Sequence, residues 1–132
     1  MANQTKTQIV QQIYADFGQG NIPAIIARLA DEFVWIQPSA PDIPWAGVST
    51  SKDQVMAFFQ KLAESVDIEQ FEPRQFVSEG DMVVAIGWWK GKSRNKGEPF
   101  ESDWIMTWTF AGDKVKHYQA AYDTNHVAKA LQ

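Results

Sequence analysis

The sequence predicts an α+β domain in which helices come first and a long twisted antiparallel sheet follows. Three observations carry that expectation: apolar residues at helical spacing in the first half, a switch to period two from residue 69 onward, and 132 residues free of repeats or linkers. Ile9, Val10, Ile13, Tyr14 and Phe17 fall at helical spacing, and Thr5-x-x-Gln8 fits a capping box. With Gly18-Gln-Gly20 as the stop, the first helix spans about residues 6 to 17. Asn21 reads as the N-cap of a short second helix with Pro23 in its tolerant first turn. Ile22, Ile25, Ile26 and Leu29 pack it on the first helix, and its end is expected near Ala30-Asp31. Phe33, Trp35 and Gln37 alternate with Val34 and Ile36 in a strand that Pro38 stops. The segment from Pro38 to Val48 holds three prolines, Gly47 and Trp45; it is too irregular for an element and too apolar for an ordinary solvated turn, and reads as a cover. Ser51-x-x-Gln54 caps a third helix, in which Val55, Phe58, Phe59 and Leu62 share a face and which ends near Ser65.

Strands are then expected at about 70 to 78, 81 to 91, 99 to 110 and 113 to 123, as an antiparallel meander. Glu79-Gly80-Asp81 and Ala111-Gly112-Asp113 supply hairpin turns, and Lys92 to Gly97 a longer polar one. Phe100, Trp104, Met106, Trp108 and Phe110 alternate with Glu101, Asp103, Thr107 and Thr109, and only Ile105 interrupts the polar face. A helical turn or two from Thr124 to Leu131 ends the chain. All of this fits a single domain over residues 1–132.

Composition narrows the function. The chain is 45% hydrophobic and 13% aromatic, enough for a sizeable core, and at 21% charged it does not resemble a disordered tail. Its net charge is −4 and no Lys/Arg run exceeds a dipeptide, so neither nucleic acid nor an anionic membrane surface is expected as a partner. Without cysteine there is no disulfide, thiol nucleophile, iron–sulfur cluster or thiolate zinc site, and two histidines argue against a metal. Asp123-x-x-His126 has helical spacing but lacks a third ligand. The first residues are polar with no apolar core behind them, and no stretch approaches the ~18 apolar residues of a membrane span; a cytoplasmic address is the default expectation. Six tryptophans stand out, where typical usage gives about two. Rings of that size fill a core or line a cavity for an apolar ligand.

Several strings resemble the SnoaL-like family of the nuclear transport factor 2-like superfamily, which also holds ketosteroid isomerase. They are Tyr14-Ala-x-Phe-Gly-x-Gly-Asn21, Ala30-Asp-Glu-Phe-Val-Trp35, Pro41-Asp-Ile-Pro-Trp-Ala-Gly47, Val55-x-x-Phe-Phe59, Glu79-Gly-Asp81 before Val83-Val84, and Tyr122-Asp-Thr124. The resemblance runs over about residues 8 to 131. It implies a cone, in which a curved antiparallel sheet wraps over three helices around a deep apolar pocket, and it implies a dimer. Such a fold hosts isomerases, cyclases, dehydratases, hydrolases and binders.

The chemistry is tested residue by residue. The isomerase uses an aspartate base with a tyrosine and a protonated aspartic acid as oxyanion hole. By the matching strings Tyr14 keeps the tyrosine, Gln37 replaces the base and Met106 the acid, so that apparatus is broken. The polyketide cyclases of the family close a ring by an aldol step without metal or cofactor. Their acid/base aspartate matches Asp123, while the histidine common on the 99 to 110 strand is again Met106. The limonene-epoxide-hydrolase branch needs an Asp-Arg-Asp set that Arg28, Arg74 and Arg94 do not complete. An aspartate at the mouth of an apolar cavity would have its pKa raised and could serve as a base, yet Asp123 also stands where the last helix needs an N-cap. Strand parity sets Asp123 with His117, Gln119 and Ala121, opposite Tyr118, Ala120 and Tyr122, unless a bulge brings Asp123 round to the tyrosine side.

Two readings follow. In one, Asp123 is the base of a cofactor-free aldol, isomerase or dehydratase reaction, with Tyr14 or Gln37 positioning a carbonyl oxygen. In the other, the domain binds a small apolar oxygen-bearing molecule without transforming it. The expected pocket wall is Trp35, Phe59, Trp88, Trp104, Met106 and Trp108 with Tyr118 and Tyr122, and Trp45 acts as lid. Regular strands would set Ile105, Val83 and Trp89 on the opposite face, an apolar area that a second copy of the chain is expected to cover.

Overall fold

The computed structural model describes residues 5–132. In the first helix, α1 (Lys6–Gly18), the Thr5 side chain accepts from the backbone N–H of Gln8 and the Gln8 side chain accepts from that of Thr5, the reciprocal box that the sequence spacing predicts. Helix α2 (Ile22–Ile26) is shorter than expected. Asn21 holds the N-cap position but its side chain makes no capping bond. The helix closes at Ile26 because the chain from Leu29 is already committed to the sheet: Leu29 lies opposite Val115, whose N–H donates to the Arg28 carbonyl. The helical apolar spacing continues to Leu29, but sheet pairing takes over there.

Strand β1 (Leu29–Gln37) is followed by β2 (Gly47–Ser49), a short element at the end of the segment read as irregular. Helix α3 (Lys52–Ser65) starts with the Ser51 side chain accepting from the Gln54 N–H, and runs straight into β3 (Val66–Glu79). The remaining elements are β4 (Met82–Ser93), β5 (Pro99–Ala111), β6 (Lys114–Tyr122) and α4 (Thr124–Leu131). Gly80 and Gly112, with φ of 57° and 62°, take the left-handed positions of the two tight hairpins.

The six strands form one curved sheet in the order β2-β1-β6-β5-β4-β3. Four of its five ladders are antiparallel, including the expected meander from β3 to β6, but β1 lies parallel to β6, with Trp35 opposite Tyr118. The helices cover one face: α1 packs on β3 and β4, α3 on β2 and β3, and α4 on β5. The core lies between, where Val10, Ile25, Val55 and Trp104 are almost wholly removed from water.

The register corrects one assignment of faces. Val83 stands opposite Trp108, Gly87 opposite Trp104 and Trp89 opposite Ser102, so odd positions of β4 share the inner face with even positions of β5. Val83 and Trp89 are therefore buried, 0% and 5% exposed, and it is Trp88 that turns outward. There the Arg74 guanidinium sits over its ring, 5.1 Å from the centroid.

Candidate functional site

Between the helices and the inner face of the sheet lies a cavity of about 70 Å³, several times the roughly 10–15 Å³ that one water requires. Its wall takes five of the six indoles, all three tyrosines, Gln37, Met106 and aliphatic or phenyl side chains. No Asp, Glu, His, Lys or Arg is among them. The strands place the rings by alternation: Trp104, Met106 and Trp108 from β5, Tyr118 and Tyr122 from β6, Trp35 and Gln37 from β1. Helices α1 and α3 close the other side with Ile13, Tyr14, Phe17, Phe58, Phe59 and Leu62.

The rings hold one another. Trp35 stacks on Tyr118 at 3.9 Å between centroids and meets Trp108 edge-on at 5.8 Å. Tyr14 lies 5.4 Å from Trp104, which stacks on Phe71 at 4.9 Å. Pairs in such arrangements add to what their burial contributes.

Each tyrosine oxygen accepts one N–H. Trp108 Nε1 donates to Tyr14 at 3.0 Å, Gln37 Nε2 to Tyr118 at 2.9 Å, and Trp45 Nε1 to Tyr122 at 3.0 Å. The Tyr14 hydroxyl in turn donates to the Met106 sulfur at 3.2 Å, a weak acceptor. Burial pushes all three phenols well above their ordinary value, and the donated N–H bonds only partly offset it, so the hydroxyls stay protonated at neutral pH. The site is thus neutral, apolar and supplied with hydrogen-bond donors.

The structure gathers most of the expected residues. Tyr14, Trp35, Gln37, Trp45, Phe59, Trp104, Met106, Trp108, Tyr118 and Tyr122 all line the cavity. Trp45 is 4% exposed and belongs to the wall itself, tied to Tyr122. Two expected residues lie elsewhere. Trp88 is on the outer face, as described. Asp123 is exposed and caps α4, its Oδ1 accepting from the His126 N–H at 3.1 Å. The Ser102 hydroxyl accepts from the Asp123 N–H at 2.9 Å and fixes the strand end so that Tyr118 and Tyr122 turn inward and the carboxylate does not. Eight further residues complete the wall: Ile13, Phe17, Ile25, Phe58, Leu62, Ile68 and Phe71, together with Trp89, which regular strands would set on the opposite face. Pairing β4 to β5 across their connecting turn would have found Trp89, because the register decides which indole faces inward. Among the described residues no three His, Cys, Asp or Glu side chains group as a metal site, and no helix is long and apolar enough to cross a membrane.

A curved, unclosed sheet folded over helices around one apolar cavity defines the nuclear transport factor 2-like class of cones. The SnoaL-like domain model matches residues 10–118, and the chain belongs to that family. An NTF2-like protein from Burkholderia xenovorans LB400 is 31% identical and superposes with a TM-score of 0.87 over 100% of this chain and 99% of that one. An NTF2-like protein from Burkholderia thailandensis E264 is 29% identical, with a TM-score of 0.89 over 98% and 99%. TerC, co-crystallised with polyporic acid, shares the fold at 19% identity and a TM-score of 0.85, over 96% and 97%. No curated protein matches the sequence.

Proposed function

We propose that the cavity binds a small, uncharged, largely apolar molecule carrying one or two oxygens, and that the domain acts as a binding module. One observation carries this reading: a wall of eighteen residues whose only ionisable groups are phenols that burial keeps protonated. Desolvating an ionic substrate there without a partner would cost several kcal/mol. Proton abstraction needs a base within reach of the substrate, and Asp123 is engaged as the N-cap of α4 and is not among the residues of the wall. Tyr14 and Gln37 remain as groups that position an oxygen.

A thermal-shift screen of neutral aromatics, terpenoids, polyketide fragments, polyporic acid and sugar phosphates tests the reading. Stabilisation by neutral compounds is expected, and stabilisation by the sugar phosphates alone would overturn it. Trp45→Ala is expected to weaken a hit by ~1 kcal/mol or more, from lost ring contact. Asp123→Asn should leave both the affinity and the chemical fate of the hit unchanged; turnover abolished by that substitution would restore the catalytic reading.

For assembly we propose a homodimer through the outer face of the sheet. The residues that support it are Ile86, Trp88 and Ile105, the last 47% exposed, in place of Val83 and Trp89, which the core has taken. Light scattering at micromolar concentration should give twice the 14.9 kDa chain mass, and Ile105→Asp should return it to one. A wild-type mass of one chain would refute the proposal.

A further inference from the structure

None of the eighteen wall residues is exposed, so part of the wall must give way for a ligand to pass. Seventeen of them stand on helices or strands, whose backbone hydrogen bonds resist such a movement. Trp45 alone lies outside every helix and strand. Its segment, residues 38–46, makes two backbone hydrogen bonds among the described residues, and both are internal: Ile43 N–H to the Ala40 carbonyl at 3.3 Å and Ala46 N–H to the Ile43 carbonyl at 3.2 Å. Side chains therefore hold it to the rest of the molecule. Ile43 and Trp45 are buried beneath it, while Ser39, Pro41, Asp42 and Pro44 face water. Trp45 Nε1 donates to Tyr122 on the inside, and on the outside Asp42 Oδ2 accepts from Gln132 Nε2 at 2.9 Å, beyond the end of α4. The two feet of the segment meet, because Gln37 lies opposite Gly47 in the ladder of β1 with β2. Gly47 has φ of 116° and open space around it, and three prolines stiffen the stretch between the feet. A loop with joined ends, filled by its own side chains, is a compact unit.

Resting on the proposed binding of a small apolar molecule, we infer that residues 38–46 are a flap hinged on the Gln37–Gly47 pair, through which the ligand enters and leaves, and that Trp45 with Tyr122 and Asp42 with Gln132 are its inner and outer latches. Opening lifts Ile43 and Trp45 into water, so the open form is rare and exchange runs at the pace of opening. The flap is closed over the empty and the filled cavity alike. A restraint on the outer latch therefore changes the rates in both directions and leaves the affinity where it was.

The test uses the absence of cysteine from the chain. Asp42→Cys with Gln132→Cys supplies two thiols, at side chains that already meet and do not line the cavity, and a bis-maleimide bridges them. Stopped-flow mixing with N-phenyl-1-naphthylamine, a neutral probe whose emission rises in apolar surroundings, reads the exchange. Uptake by the parent protein should level off with rising probe concentration, at the opening rate. Bridging should slow association and dissociation by about tenfold or more with Kd unchanged, while the same variant capped with a mono-maleimide behaves as the parent does. Should the bridged protein misfold, Tyr122→Phe keeps the ring and deletes the inner latch; its association at saturating probe should be about fivefold faster, the scale of one hydrogen bond. Exchange as fast in the bridged as in the capped protein, or association unchanged in Tyr122→Phe, would refute the flap and leave the apolar site standing. If the parent protein binds neither this probe nor naphthalene, the binding reading falls, and the flap with it.

Discussion

Titrated above pH 10, the folded protein should show no phenolate absorbance until it unfolds, and the unfolding itself should be driven by its tyrosines. The chain has three tyrosines and all three line the cavity. Burial raises the pKa of each above the ordinary 10.0, against which the unfolded chain titrates. A group whose native pKa is raised contributes its full stability below the unfolded value and loses it as pH climbs beyond. Stability should therefore show no tyrosine-linked loss up to about pH 10. Beyond that each phenol removes about 1.4 kcal/mol per pH unit, or about 4 kcal/mol per unit for three together. Domains of this kind hold about 5–15 kcal/mol in all, so a cooperative alkaline transition is expected within a few pH units. Phenolate and far-ultraviolet dichroism signals should move together, and Tyr14→Phe should lower the steepness by about a third. A phenolate band rising near pH 10 with the dichroism intact would show that the tyrosines are wet.

Gly87→Ala is expected to destabilise the fold by about 3 kcal/mol, at the upper end for added core volume. A methyl group at this position would meet the Glu72 carbonyl of the neighbouring strand on one side and the Trp104 ring on the other. Trp104 is directly opposite Gly87 in the ladder and lays its indole across the bare backbone, an approach that only glycine permits. The ring can shift, but the carbonyl belongs to a paired strand and cannot yield cheaply. Gly97→Ala offers the contrast: its surroundings are open and the strain comes from φ of 69° alone, so about 1 kcal/mol is expected. Denaturant midpoints distinguish the two. Combined with Trp104→Phe, the Gly87→Ala cost should be less than additive, since part of the clash has been removed. An effect of Gly87→Ala within about 0.5 kcal/mol would mean that the indole does not rest on that glycine.

The helices and the order of strands were readable because caps and periodicity are local: Thr5 with Gln8, Ser51 with Gln54, and the alternation from Phe100 to Phe110 each depend on a few consecutive residues. What was not readable depends on pairing between distant segments. Period two announces that β4 has two faces, but Trp88 and Trp89 both qualify until β5 fixes the register. The parallel contact of β1 with β6 leaves no mark in either strand, and it explains why Leu29 joined the sheet although its spacing matched the second helix. Asp123 shows a further limit. As the first residue beyond β6 it satisfied the requirements of a base and of a cap equally, and only the bonds from His126 and to Ser102 decide where its carboxylate lies.

The position of β6 inside the sheet has a bearing on how the molecule is made. This strand follows the other five in the sequence, yet in the sheet it lies between β1 and β5 and joins them. Without it the sheet divides into β2 and β1 on one side and β5, β4 and β3 on the other, each with an unpaired edge where β6 belongs. Tyr118 and Tyr122 are carried on that strand, so before β6 is made Trp35 lacks its stacked ring and Trp45 its acceptor. Pairings between such distant segments fold slowly. All six tryptophans precede β6 in the sequence, so enclosing the five that line the cavity waits on a strand made after them.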